Sequence, residues 1–164
     1  MATARINFFS HLLAPLRLTL VCALVLLASC SYIPIAGGEL EGTVVPAPAS
    51  WPQVAAIKVI ELETNPAKPY SVKLWVIAMG SSLYVHAGAN HTTWVENIEQ
   101  NPHVRILIGE SIYELEATRV IAADEFRHFS DSYEKKYGSR PRNENITEVY
   151  LFRLQAREYK AETG

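Results

Sequence analysis

Alternating hydrophobic and polar residues over much of the chain predict β-strands that each bury one face. The clearest example is 71–78, whose more polar face carries Ser71, Lys73 and Trp75. The Gly80-Ser81-Ser82 sequence after it predicts a tight turn that leads into the second arm of a hairpin. A short first strand could form at 40–45, and beyond it the same pattern predicts strands at 56–63, 83–87, 104–108, 112–122 and 148–157.

Helical spacing of apolar residues interrupts these strands twice. Segment 91–100 has apolar residues on one face and Asn90 or Thr92 as a suitable N-cap. A second helix starts around Asp124, which we expect to cap it, and ends at Gly138. Its apolar stripe consists of Phe126, Phe129, Tyr133 and Tyr137. Antiparallel hairpins with helices inserted between them favour an α+β fold, a small antiparallel β-barrel with two helices.

The N-terminal segment has the features of an export signal. Arg5 and Arg17 precede a short apolar run that ends in Leu27-Ala28-Ser29-Cys30. This ending resembles the lipobox of bacterial lipoproteins, in which the cysteine is acylated and the residues before it are removed. Ordinary export with a chance cysteine and an uncleaved membrane anchor are the alternatives. We therefore expect a signal peptide at 1–29, an acylated Cys30 that anchors the protein to the membrane, and a Pro- and Gly-rich spacer over 30–55. A single domain follows at 56–164.

Composition narrows the chemistry of that domain. The formal net charge is −2, which gives no basic excess for nucleic-acid binding. Both cysteines, Cys22 and Cys30, lie in the signal region, so the rest of the chain has no thiol for a disulfide, a metal or catalysis. The histidines and carboxylates show no metal-binding spacing such as HExxH, and we expect no metal.

Several stretches, in this order, resemble a known family. They are Pro69-Tyr70-Ser71-Val72-Lys73-Leu74-Trp75, Leu83-Tyr84-Val85-His86-Ala87-Gly88, Trp94-Val95-Glu96-Asn97-Ile98, Asn101-Pro102-His103-Val104-Arg105, Lys136-Tyr137-Gly138 and Leu151-Phe152-Arg153-Leu154. Over 57–157 the chain is similar to the Greek-key split β-barrel of pyridoxamine 5'-phosphate oxidase-like and deazaflavin-dependent nitroreductase-like proteins. The resemblance implies a homodimer with FMN or the deazaflavin F420 in a groove between two barrels. The cofactor would then carry the redox chemistry.

Cofactor contacts follow from that resemblance on the first hairpin. Lys73 could pair with a flavin phosphate, with Ser71 beside it, although an exposed lysine on an edge strand is the simpler interpretation. Trp75 could flank the ring system or lie in the core or a dimer interface. His86 shares its strand face with Tyr84 and Gly88 and could also face the ligand.

The start of the predicted helix is the second candidate contact. Asn90, His91 and Thr92 could cradle a phosphate with Thr93, or simply cap the helix. Relatives usually place a lysine or arginine here, and this chain has none between Gly88 and Glu99. Trp94 is either a ligand contact or, more simply, a core residue. Arg105 could reach ligand or solvent.

Two functions remain open from the sequence. The first is an extracytoplasmic, lipid-anchored oxidoreductase that acts on a small organic substrate with a flavin or deazaflavin; the membrane would be the outer one, at its periplasmic face, in a Gram-negative cell. The second is a non-catalytic envelope lipoprotein that uses the same scaffold to bind a flavin, a haem, a lipid-derived compound or a protein partner. No specific catalytic residue can be assigned.

Overall fold

Six antiparallel strands close into a barrel in the computed structural model, which describes residues 37–157. These residues belong to a unit of the chain, Ile35–Gly164. The described strands are β1 Thr43–Val44, β2 Val59–Thr64, β3 Tyr70–Met79, β4 Ser82–His86, β5 His103–Ile108, β6 Ser111–Arg119 and β7 Leu151–Ala156. The described helices are a 3-10 helix at Pro52–Ala55, α1 at Thr93–Gln100 and α2 at Ala123–Tyr137. No helix in this part of the chain is long and apolar enough to cross a membrane.

The strand order explains how the barrel closes. The sheet runs β1-β6-β5-β2-β3-β4-β7, and β6 also pairs with β7, so β2 to β7 form a ring with β1 added outside it. The hairpin turns at Gly80 and Gly109 need positive φ angles, 60° and 64°, which glycine adopts without strain. The predicted α+β fold, an antiparallel split barrel with two helices, is therefore confirmed.

Two hydrophobic layers hold the ring. The barrel interior is filled by the inward residues of the strands and is closed by α1, whose Trp94 packs edge-on against Phe152 at 5.7 Å. The second layer lies between α2 and the outer face of β4 and β7, where Phe129 and Leu151 are almost fully buried. Burying one such side chain contributes about 1.5–3 kcal/mol, so α2 is firmly attached to the barrel.

Residues 37–45, the N-terminal strap, cross the outside of the barrel. Gly37 pairs with Ser71 on β3, the Leu40 N–H donates to the Glu63 carboxylate on β2 at 2.6 Å, and Thr43 joins the Glu110 carbonyl beside β6. The segment predicted as a spacer, 30–55, is therefore part of the folded unit from Gly37 onward. Cys30 and the predicted signal peptide lie outside the described residues.

Several element boundaries differ from the sequence predictions for local reasons. β1 covers only Thr43–Val44, because the strap crosses β3 and β2 first and lies alongside β6 only at these two residues. β2 starts at Val59 rather than at 56, because Pro52 begins a 3-10 helix. Asp124 lies in the first turn of α2 and pairs with Arg127, so the predicted cap was wrong.

Two further elements are shorter than predicted. α1 starts at Thr93 with Thr92 in the N-cap position, one of the two caps that the sequence allowed. The last strand starts at Leu151 rather than at 148, because a turn held by the Asn145 side chain and carbonyl precedes it. α2 ends at Gly138, as predicted, and Gly138 adopts the left-handed conformation that is common after a helix.

Candidate functional site

A shallow groove of about 470 Å³ lies on the outer face of β2, β3 and β5. Antiparallel register puts Glu61 opposite both Lys73 and Leu107, and Val59 opposite Trp75. Because paired residues point to the same side of a sheet, these five side chains share one surface. We call it the outer-face groove, with Trp75 at its edge. Two predicted site residues, Lys73 and Trp75, are exposed to solvent at this groove.

Trp75 forms a fixed aromatic wall beside the groove. Its indole is 52% exposed, although it stacks on Tyr137 of α2 with a centroid distance of 4.6 Å and an interplanar angle of 17°. The Tyr137 hydroxyl bonds the Val76 backbone and the Lys58 carbonyl, which holds its ring in place. Burial raises the pKa of Tyr137 and of its neighbour Tyr133, so both rings stay neutral. The open part of the indole is free to stack on another flat ring.

Lys73 lines the groove, two residues before Trp75 on β3, and its charge is balanced. Its Nζ lies 3.7 Å from a Glu61 carboxylate oxygen, with the two side chains 67% and 39% exposed. Such exposed pairs contribute only about 0–1 kcal/mol to stability, so Lys73 can leave Glu61 for another anion. A ligand phosphate at this position would nevertheless meet Glu61 as well as Lys73.

Arg105 and Ser71 lie beneath the N-terminal strap. The Arg105 guanidinium donates to both carboxylate oxygens of buried Glu63, at 2.7 and 2.8 Å, and to Glu39 at 3.3 Å. These hydrogen bonds raise its pKa above the usual value. Ser71 is covered by Gly37, whose backbone bonds it at 2.8 and 3.0 Å. Both residues therefore hold the strap, and ligand contact would require the strap to move.

The start of α1 carries carboxylates around the predicted phosphate cradle. The His91 Nε2 lies 2.7 Å from Glu99, and its Nδ1 lies 3.5 Å from Glu96. Among residues 37–157, Thr92 makes no side-chain capping bond and its buried hydroxyl has no hydrogen-bond partner, whereas Asn90 is exposed. Gly88 turns the chain with a φ of 60°. Free N–H groups favour an anion here, but the two glutamates oppose one.

Tyr84 and Trp94 are buried and His86 is half-buried, and all three lie away from the groove. His86 packs against Phe129 under α2, and burial lowers its pKa to about 4, so its ring is neutral. Burial and the Glu125 hydrogen bond raise the pKa of Tyr84 to about 12. Trp94 is a core residue, the simpler of the two interpretations. The structure thus brings together Lys73 and Trp75 and places the other predicted contacts elsewhere.

Glu61, Glu63 and Tyr137 are the important residues that the sequence analysis did not assign to this surface. The glutamates alternate on the face of β2 that carries Val59, and that alternation was visible. Their partners depend on strand register, which the sequence alone does not define. Among residues 37–157, no cluster of histidine and acidic side chains is arranged to hold a metal ion.

Comparison with solved structures shows the same fold. A Listeria innocua protein named as a candidate pyridoxamine 5'-phosphate oxidase aligns over 62% of this chain and 85% of its own, with a TM-score of 0.50 and 16% identity. A candidate 5-nitroimidazole antibiotic resistance protein from Bacteroides thetaiotaomicron aligns over 75% of this chain and 88% of its own, with a TM-score of 0.51 and 14% identity. An F420-H2 dependent reductase, FDR-A, aligns over 71% of this chain and 100% of its own, with a TM-score of 0.51 and 16% identity. No protein-family model and no curated protein sequence matches the chain. The predicted likeness to these split barrels is confirmed at the level of fold.

Proposed function

We propose that this protein binds a planar aromatic ligand of the flavin class in the outer-face groove. The half-exposed, rigidly held Trp75 beside that groove carries the proposal. Small-molecule sites combine apolar walls with a few polar groups, and here Val59 and Leu107 supply the walls and Lys73 and Glu61 the polar groups. The fold is shared with proteins named as a candidate pyridoxamine 5'-phosphate oxidase and an F420-H2 dependent reductase, which supports a ligand of this class.

The residues fit the ring of such a ligand but not its phosphate. Trp75 offers a flat surface for stacking. Each cation that the resemblance would assign to a phosphate is paired with acid: Lys73 with Glu61, Arg105 with Glu63, and His91 with Glu96 and Glu99. Binding would therefore depend on the ring, and we derive no catalytic step through FMN or F420.

A riboflavin and FMN titration tests this proposal on the Ile35–Gly164 unit. We expect the two affinities to differ by less than about threefold, because an exposed ion pair contributes little. Trp75→Ala should weaken both by about three- to tenfold, from the loss of aromatic stacking. Glu61→Gln frees Lys73 and should improve FMN binding relative to riboflavin. If no flavin binds, or if Trp75→Ala leaves both affinities unchanged, the groove is not the site.

A second copy of the chain would complete this surface. Val59 and Trp75 are cross-strand neighbours and are 41% and 52% exposed, which leaves an apolar pair facing solvent in one copy. Covering that pair would also enclose a ligand in the groove. Sedimentation equilibrium of the Ile35–Gly164 unit should give a dimer, and Trp75→Ala should shift it toward monomer. A monomer at tens of micromolar for both would count against the dimer.

Oxidoreduction of a small organic molecule is the second candidate activity, supported by the fold shared with an F420-H2 dependent reductase. An enzyme outside the cytoplasm lacks ready NAD(P)H and would need another electron source. A reduced ligand bound to the protein should then pass electrons to an added small acceptor faster than free reduced ligand does. Equal rates would leave ligand binding as the function.

Anchoring at an acylated Cys30 completes the proposal and rests on the Leu27-Ala28-Ser29-Cys30 ending of the apolar run. It would place the protein outside the cytoplasm on a bacterial membrane. Cys30→Ala should prevent acylation, and the protein should leave the membrane fraction or remain unprocessed. Unchanged fractionation together with an unchanged mass would contradict lipid attachment.

A further inference from the structure

A second cavity, of about 580 Å³, lies where the 3-10 helix, the β3–β4 turn and the last two turns of α2 meet. We call it the α2 pocket. Its volume is within the range of small-molecule sites, and it shares no lining residue with the outer-face groove. Trp51, Val54 and Ile77 give it a buried apolar base, while Lys135 and Lys136 bring two ammonium groups from α2.

Lys136 is held in place by backbone carbonyls instead of by a carboxylate. Its Nζ donates to the Val54 and Val76 carbonyl oxygens, both at 2.8 Å. Those bonds use two of its three protons and leave one for a ligand. Within residues 37–157, neither Lys136 nor Lys135 forms an ion pair. The pocket therefore holds positive charge without a neutralising partner.

The acidic residues near the C-terminal end of α2, two on the helix and one after it, pair with a different cation, Arg140. Arg140 binds Asp131 at 2.8 Å, Glu134 at 3.1 Å and Glu144 at 2.6 Å. These three carboxylates are therefore already paired with the Arg140 guanidinium. An anion that enters the α2 pocket would compete with none of these carboxylates for Lys136.

We propose that the α2 pocket binds a small organic anion with an apolar body, its charged group at Lys136 and Lys135 and its body against Trp51 and Ile77. A carboxylate or sulfonate on an aromatic or branched aliphatic group has this chemistry. The charged group gains hydrogen bonds from ammonium donors that lack an anionic partner, and such bonds are stronger than neutral ones. This site is independent of the function proposed for the outer-face groove.

Two probes separate the charge from the apolar body. 8-Anilinonaphthalene-1-sulfonate and N-phenyl-1-naphthylamine share one aromatic skeleton, and only the first carries a sulfonate. Both fluoresce when they enter an apolar site, so each can be titrated into the Ile35–Gly164 unit. We expect the sulfonate to bind about tenfold more tightly than the neutral probe, and this preference to decrease with added salt.

Variants of the pocket then locate the binding. Lys136→Gln should weaken sulfonate binding about tenfold and leave the neutral probe within twofold, and Lys135→Gln should act in the same direction with a smaller effect. Lys68→Gln, an exposed lysine outside the pocket, is the matched control and should change neither. Ala55→Phe fills the pocket without removing charge and should weaken both probes, which keeps the test valid if Lys136→Gln proves unstable.

Three results would overturn the proposal. Equal binding of the two probes would show that the lysines do not recognise the anion. Equal loss of both probes in Lys136→Gln would show that Lys136 supports the structure only. Unchanged binding in Ala55→Phe, with loss in Trp75→Ala, would place the probe in the outer-face groove.

Discussion

Replacing Glu63 with glutamine tests the ion pair that joins the N-terminal strap to the barrel. Glu63 is 3% exposed and accepts three hydrogen bonds, two from Arg105 and one from the Leu40 N–H. Glutamine has almost the same size but no charge, and its NH₂ group faces a guanidinium or an N–H donor. The variant therefore leaves Arg105 with only the more distant Glu39.

The expected loss of unfolding free energy is about 2–4 kcal/mol. Breaking a buried ion pair by removing one partner costs about 3–5 kcal/mol. The value here is lower because the Arg105 side chain is 20% exposed and keeps Glu39. Glu61→Gln is a matched control on the same strand and the same face. Its carboxylate is exposed and pairs with exposed Lys73, so the cost should be at most about 0.5 kcal/mol.

Urea unfolding of the Ile35–Gly164 unit measures both variants on one scale. The midpoint should fall clearly for Glu63→Gln and hardly at all for Glu61→Gln, at similar slopes. Amide hydrogen exchange in residues 37–45 should also accelerate only in the first variant, because that pair holds the strap. If the two variants differ by less than about 0.5 kcal/mol, the ion pair does not stabilise this fold.

Three further variants test other parts of the fold. The folded pKa of His86, about 4, is below the ordinary 6.5, so the unfolded chain binds the proton first and stability should fall between pH 6.5 and 4. The loss of unfolding free energy should reach up to about 3 kcal/mol in the wild type and be absent in His86→Gln, as measured by urea midpoints between pH 6.5 and 4. If the wild type and His86→Gln lose stability in parallel over this range, the burial argument is wrong. Gly138→Ala should cost about 1 kcal/mol, because φ is 82° there, and an unchanged melting temperature would show that the helix end adapts. Phe129→Ala should lower the unfolding free energy measured in urea by about 3–5 kcal/mol, since Phe129 is 1% exposed. A loss below 1 kcal/mol would mean that α2 is loosely packed.

Most of the barrel could be predicted because its strands bury one face and expose the other. The alternation at 71–78 has this origin, and β3 indeed exposes Lys73 and Trp75 while Val76 is buried. For the strap, the sequence predicted a short first strand at 40–45 within a spacer, whereas only Thr43–Val44 forms a strand there. The strap residues cross several strands, and a crossing segment has no period of two or of 3.6 residues.

The candidate site was harder to predict because its chemistry depends on pairs that are distant in sequence. Lys73 and Arg105 were recognisable as cations, but their partners Glu61 and Glu63 become neighbours only through strand register. In the same way, Trp75 meets Tyr137 only because α2 packs on β3. The sequence therefore identified the residue types at the site but not the acidic partners that balance their charge.

The N-terminal strap also divides the barrel into two parts that differ in how they are reinforced. The strap is bonded to β3 at Ser71, to β2 at Glu63 and to β5 at Arg105, whereas α2 covers β4 and β7 through Phe129 and its neighbours. β3 is the one of these strands that takes part in both, with its first half under the strap and its second half against α2. Separating β2 from β3 therefore requires breaking strap contacts, and separating β3 from β4 requires breaking contacts with α2.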